Sequence, residues 1–94
     1  MKNRFESSEI FTAYATVEAG YYMVEQIFKE IKKRTGFQMA IDSVTGYDKF
    51  LDKQLAEQLI PIVEGIIEAK KVIEMEFSED EKLLAASKKA LAIE

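Results

Sequence analysis

Apolar side chains recur along the first third of the chain at alternating steps of four and three residues: Ile10, Tyr14, Val17, Tyr21, Val24, Phe28 and Ile31. That spacing keeps one stripe of an α-helix facing a single direction. Aromatic rings alternate with β-branched aliphatics, so the stripe is bulky and needs another helix to cover it. The pattern predicts a helix over 8–35. Ser7 or Ser8 is placed to accept from the free amides of its first turn. Lys32, Lys33 and Arg34 complement its negative end, and Gly36 can take the left-handed conformation that closes it.

Residues 36–46 form the main connection, in which Phe37, Met39, Ile41 and Val44 are apolar enough to fold back over the end of a bundle as an ordered lid. A second helix is predicted over 47–77, with Thr45 and Asp48 as a loose capping pair and a seam of Leu55, Leu59, Ile62, Ile66, Ala69 and Ile73. Leu51, Ala56, Ile60, Val63 and Ile67 widen that seam, so this helix is expected to touch two neighbours. Pro61 cannot donate to the carbonyl four residues back, which predicts a kink or a break there. Ser78 followed by Glu81 reads as a capping box opening a third helix over 79–93. Its inward positions are Leu83, Ala86, Ala90 and Ile93, with Leu84 and Leu91 beside them.

The predicted fold is all-α: one domain over residues 1–94, a long antiparallel helical hairpin plus a shorter C-terminal helix. At about 1.5 Å per residue the first helix is a rod roughly 42 Å long. The third is about half as long and follows the second directly, so it is expected to cover only the free end of the hairpin. The loop-proximal half would then expose Tyr22, Met23, Ile27, Phe28, Phe50, Leu51 and Ile60, a patch too large for a typical monomer. The expected assembly is an oligomeric helical bundle, in its simplest form a two-fold dimer. Gly20 and Gly65 fall in one crossing zone of such a hairpin. Either they allow close backbone approach, or they open a small cavity lined by tyrosines. Gly20→Ala distinguishes the two, since stabilisation would argue against tight packing.

Composition narrows the chemistry. The chain has 94 residues, 48% of them hydrophobic and 32% charged, with one Pro and four Gly. These values suit amphipathic helices rather than a disordered chain. No Cys, His or Trp occurs, which removes disulfides, thiolate nucleophiles, imidazole bases and nearly all zinc sites. The net charge of −4 disfavours bulk electrostatic attraction to nucleic acid or anionic membrane. No apolar run is long enough to span a bilayer, and the stretch Met1–Glu9 has no apolar core of a secretory signal. A cytoplasmic location is expected.

Few residues remain to carry a site. Tyr21 and Tyr22, with Lys29, Lys33 and Arg34, could trap a small anionic or nucleotide-like ligand at an oligomer interface. The more economical reading makes the aromatics core residues, with Glu18 and Glu25 accepting from tyrosine hydroxyls. Glu18, Glu25, Glu64 and Glu68 could in principle hold metal ions, but helical carboxylate centres pair Glu with His and this chain has none. Glu64 and Glu68 flanking Lys71 read better as a solvated face. Lys29, Lys32, Lys33 and Arg34 are partly neutralised by Glu25 and Glu30 one turn earlier. A helix-turn-helix at Ser78 would point Glu79, Asp80 and Glu81 at DNA. The expectation is therefore a small acidic accessory protein without an enzymatic site or cofactor, acting by protein–protein interaction as a homo-oligomer. It would serve as an adaptor, inhibitor, or viral or mobile-element factor. Its acidic stretch, Asp42 to Glu76, could face a basic partner.

Overall fold

The computed structural model describes residues 7–36, 38 and 52–92. They form three helices, α1 (Ser7–Thr35), α2 (Lys53–Val72) and α3 (Ser78–Ala92), and no strand occurs among the described residues. α1 closes as expected: Gly36 has φ +79° and its amide donates to the Lys32 carbonyl at 2.7 Å. The lid residues Phe37, Met39, Ile41 and Val44, the Thr45/Asp48 pair and the start of the second helix at 47 lie outside the described residues. Asp52 caps α2 from an extended conformation, its Oδ1 accepting from Leu55 N at 2.8 Å.

α2 is the central element, packed against both α1 and α3. Arg34 near the end of α1 meets Asp52 at the start of α2, whereas Ala13 and Val17 cluster with Ala69 near its end. Buried Leu55, Leu59, Val63, Ile66 and Ile67 make the wide stripe that two neighbours require. α2 runs unbroken through Pro61. Pro61 and Glu57 are both exposed, so the carbonyl that Pro61 leaves without a donor is on the wet side of the helix.

On α1 the buried row is Ala13, Val17, Gly20, Val24, Ile27 and Ile31. Val17, Val24 and Ile31 belong to the predicted seam, and Phe28 of that seam is buried beside them; Tyr14 and Tyr21 give way to Ala13 and Gly20. The small residues face α2 and let it approach. A Cβ placed on Gly20 would lie 2.5 Å from Ile66 Cγ1 and 2.8 Å from its Cδ1. The aromatics become an edge row of increasing burial: Tyr14 is 53% exposed, Tyr21 half-buried and Phe28 4% exposed.

The junction between α2 and α3 differs from the expected one. α2 stops at Val72, not at 77, and closes in a Schellman turn: Glu74 N–H donates to Lys71 O at 3.4 Å and Met75 N–H to Lys70 O at 2.9 Å. Glu74 takes φ 58°, the left-handed position usually given to Gly. The Ser78–Glu81 box is replaced by another cap: Ser78 is already helical, and its amide donates to Glu76 Oε2 at 2.8 Å. α3 then turns back along α2, where Leu83 and Ala90 join the core of Val24, Ile27, Phe28 and Ile31. Ile27 and Phe28, expected at a surface, are buried within the chain's own core. The part left without α3 is the beginning of α1, whose cluster of Ala13, Val17 and Ala69 includes no α3 residue. Of the inward positions expected on α3, Leu84, Ala86 and Leu91 are half-buried and Ile93 lies outside the described residues, while Asp80 and Ser87 take fully buried places.

Candidate functional site

Three polar side chains, one from each helix, meet inside the bundle. Lys70 of α2 is 6% exposed and Asp80 of α3 is 0% exposed, with Lys70 Nζ 2.7 Å from Asp80 Oδ2. Tyr21 of α1 donates its hydroxyl to Asp80 Oδ1 at 2.9 Å and accepts from Lys70 Nζ, which also stands over the Tyr21 ring at 4.9 Å from its centroid. Removing two charges from water is costly, and here each is answered by the other and by the phenol. Burial pushes the Tyr21 pKa up against the lowering effect of the Lys70 hydrogen bond. Burial acts to lower that of Lys70, but hydrogen bonds to Asp80 and Tyr21 outweigh it and leave it raised. Lys70 is thus held as an ammonium, which suits a structural ion pair and not a nucleophile. Among the described residues no buried side-chain nitrogen or oxygen lacks a hydrogen-bond partner.

The centre contains Tyr21, which sequence reasoning named, and Lys70 and Asp80, which it did not. The expected acceptors Glu18 and Glu25 are exposed on α1, and the Tyr21 hydroxyl reaches Asp80, 59 positions away, instead. A signal was present: Lys70 continues the inward row Ala56, Val63 at steps of seven, and Asp80 lies three residues before Leu83. Opposite charges on two inward rows imply a pair.

The other candidates do not converge. Tyr22 is 65% exposed on α1, and Lys29 and Lys33 are exposed. Arg34 is engaged by Glu30 at 2.9 Å and by Asp52 Oδ2 at 2.5 Å, so it joins α1 to the cap of α2; the Glu30 hydrogen bond is the main cause of its raised pKa. Glu68 pairs with Lys71 at 3.2 Å, while Glu64 reaches Lys88 of α3 at 3.9 Å. Among the described residues no group of three or more carboxylates is arranged to hold a metal ion. Of the expected interface residues, Tyr22 and Met23 are exposed, Ile60 is half-buried, and Phe50 and Leu51 lie outside the described residues. The two glycines divide: Gly20 is the close approach, whereas a Cβ on Gly65 would meet nothing within 4 Å. Gly65 borders an open groove of about 420 Å³ between α1 and α2, lined by small and apolar side chains such as Ala13, Ala69 and Val72 together with Thr12, Thr16 and Glu68, and by no tyrosine.

The surface itself is uneven. From residue 11 to residue 23 the only charge is Glu18, while residues 24–35 of the same helix carry six. Phe11 at 76%, Tyr14 at 53%, Tyr22 at 65% and Met23 at 44% exposure lie on this sparsely charged stretch, outside the row that packs on α2. Elsewhere the exposed helix faces carry charges such as Lys53, Glu57, Lys82 and Lys89. No helix among the described residues is long and apolar enough to cross a membrane. No family model matches the chain, and neither a curated protein nor a solved structure matches it significantly.

Proposed function

We propose that the protein is a non-enzymatic accessory module of the cytoplasm, an adaptor, inhibitor, or viral or mobile-element factor that acts as a homo-oligomer by occupying protein surfaces. In this reading α1 and α2 form an antiparallel hairpin, α3 braces it, and the polar centre holds the three in one arrangement. The observation that carries the reading is the outer face of the first half of α1, where Glu18 is the one charge between residues 11 and 23 and two aromatic rings are exposed by more than 60%, on a helix whose other side is already packed. A helix apolar on both sides is normally buried on both. The acidic exposed residues of α2, Glu57, Glu64 and Glu68, offer a second surface to a basic partner.

Sedimentation equilibrium of the chain and pull-down from host lysate test this, each repeated with Phe11→Glu/Tyr22→Glu. Association in at least one assay, lost in the variant, is expected. A chain that sediments as a monomer at micromolar concentration and captures nothing beyond what the variant captures refutes it.

A further inference from the structure

We propose that the outer face of α1 seats a second copy of this chain, laid antiparallel across it about a two-fold axis at the level of Val17; this rests on the interaction reading above and names its partner and geometry. The first support is the order of side chains on the face. Phe11, Ala15, Ala19 and Met23 succeed one another at steps of four, forming one ridge of the helix, and Ala15 and Ala19 are exposed. Read in either direction the ridge is bulky, small, small, bulky.

A two-fold axis requires a patch that complements itself. Reversing the ridge about residue 17 sets Phe11 against the partner's Met23 and Ala15 against the partner's Ala19. The alanines let the two backbones approach at the crossing while the large side chains close each end. An unrelated partner would impose no such symmetry on the sequence.

The second support is area. A Phe or Tyr ring buries roughly 150–250 Å² when fully covered, so at their observed exposures Phe11 and Tyr22 together offer about 280 Å² per copy. Two copies bury about 560 Å² through these rings, and Met23, Ala15 and Ala19 bring the total toward the roughly 1,000 Å² expected of a specific interface. The patch also ends where an interface should. Beyond Met23 the charges of Glu25, Lys29, Lys32 and Lys33 return to the helix surface, as at a solvated rim.

The chain has no cysteine, so thiols can be introduced singly. Chains carrying Ala15→Cys and Ala19→Cys are mixed and oxidised, alongside each chain alone. The expected result is a dominant crosslink between the two different chains, and much weaker crosslinking of either with itself. Self-crosslinked Ala15→Cys as the dominant product would mean a parallel pair and overturn the geometry. Light scattering of Ala15→Glu gives the second readout, because this position is exposed and its far-UV circular dichroism should match the parent. A charge at the crossing should weaken the dimer by roughly 100-fold or more. If Ala15→Glu stays a dimer, the α1 seat is wrong while the interaction reading stands. If the parent is a monomer, the proposal falls, and the pull-down alone decides the broader reading.

Discussion

Cutting the Lys70–Asp80 pair from one side should cost far more than deleting it whole. In Asp80→Ala the ammonium of Lys70 keeps only the Tyr21 hydroxyl; in Lys70→Met a carboxylate that is 0% exposed keeps only one donor. Breaking a buried pair typically costs about 3–5 kcal/mol, against a total stability of roughly 5–15 kcal/mol for a domain. Lys70 has a long flexible stem and can swing its head toward water, so Asp80→Ala should fall at the lower end of that range and Lys70→Met at the upper. For a domain of this size each kcal/mol moves Tm by roughly 4–8 °C, which puts the expected losses at about 12–40 °C. Tyr21→Phe/Lys70→Met/Asp80→Leu replaces all three polar groups by apolar ones, and should lie within about 1–2 kcal/mol of the parent or above it. The assay is thermal and urea unfolding followed by circular dichroism. Two results would refute the reasoning: Asp80→Ala within about 1 kcal/mol of the parent, which would mean a solvated pair, or a triple variant as unstable as the singles.

The two helical glycines should respond in opposite ways. Gly20→Ala drives a methyl into Ile66, a β-branched residue with 0% exposure, and overpacking of about 1–3 kcal/mol should outweigh the roughly 1 kcal/mol gained in helix propensity; Gly65→Ala, with nothing near it, should gain most of that 1 kcal/mol. Equal urea midpoints for the two variants would contradict the packing described. Glu74→Gly should stabilise by about 1 kcal/mol, since it relieves a left-handed non-glycine residue in the Schellman turn, and a lower Tm would show that the Glu74 side chain contributes more than its backbone costs. Stability should also fall at alkaline pH: the native state holds its protons on Tyr21 and Lys70 more tightly than the unfolded chain, whose values are 10.0 and 10.5. Their contribution is thus complete below about pH 10 and lost as pH rises through the native values, so unfolding midpoints of the parent should drop there more steeply than those of the triple variant.

Periodicity was enough to read three helices, because apolar spacing reports which residues can share a face. It located the ends of α1 to within one residue, with Gly36 as its cap. It could not choose which half of the Tyr14, Tyr21, Phe28 row turns inward, because α1 is apolar on both sides and the choice depends on Gly20 meeting Ile66. The stop at Val72 was hidden for a related reason: Ile73 continues the seam, and the turn is made by Glu74, a residue without turn propensity. Two of the residues expected at a surface, Ile27 and Phe28, are instead covered inside the core. The polar centre was readable in principle, since Lys70 and Asp80 stand on inward rows, yet only the backward turn after Val72 brings them together.

The ambiguity of α1 in sequence is also a physical problem for the folded chain. Rotating α1 by about half a residue step, roughly 50° of its surface, would keep Val17, Val24 and Ile31 inward and exchange Ala13 and Gly20 for Tyr14 and Tyr21 against α2 with little loss of apolar area. Apolar burial alone therefore separates the two arrangements weakly, and a second term must decide between them. Two contacts supply it: the fit of Gly20 on Ile66, and the Tyr21 hydroxyl on Asp80. Either is lost on rotation, and losing the second strands the phenol beside a buried ion pair. The same orientation places Phe11, Ala15, Ala19 and Met23 outward as one ridge, so the polar centre acts at a distance on the face proposed to dimerise. The Tyr21→Phe/Lys70→Met/Asp80→Leu chain changes none of the ridge residues and is expected to keep its stability, yet it should dimerise more weakly than the parent, by about tenfold if a misrotated α1 becomes the major form. Sedimentation equilibrium of the two chains measures this. Retained stability with unchanged dimer affinity would show that α1 holds its orientation without the polar centre, and that Gly20 alone is sufficient to set it.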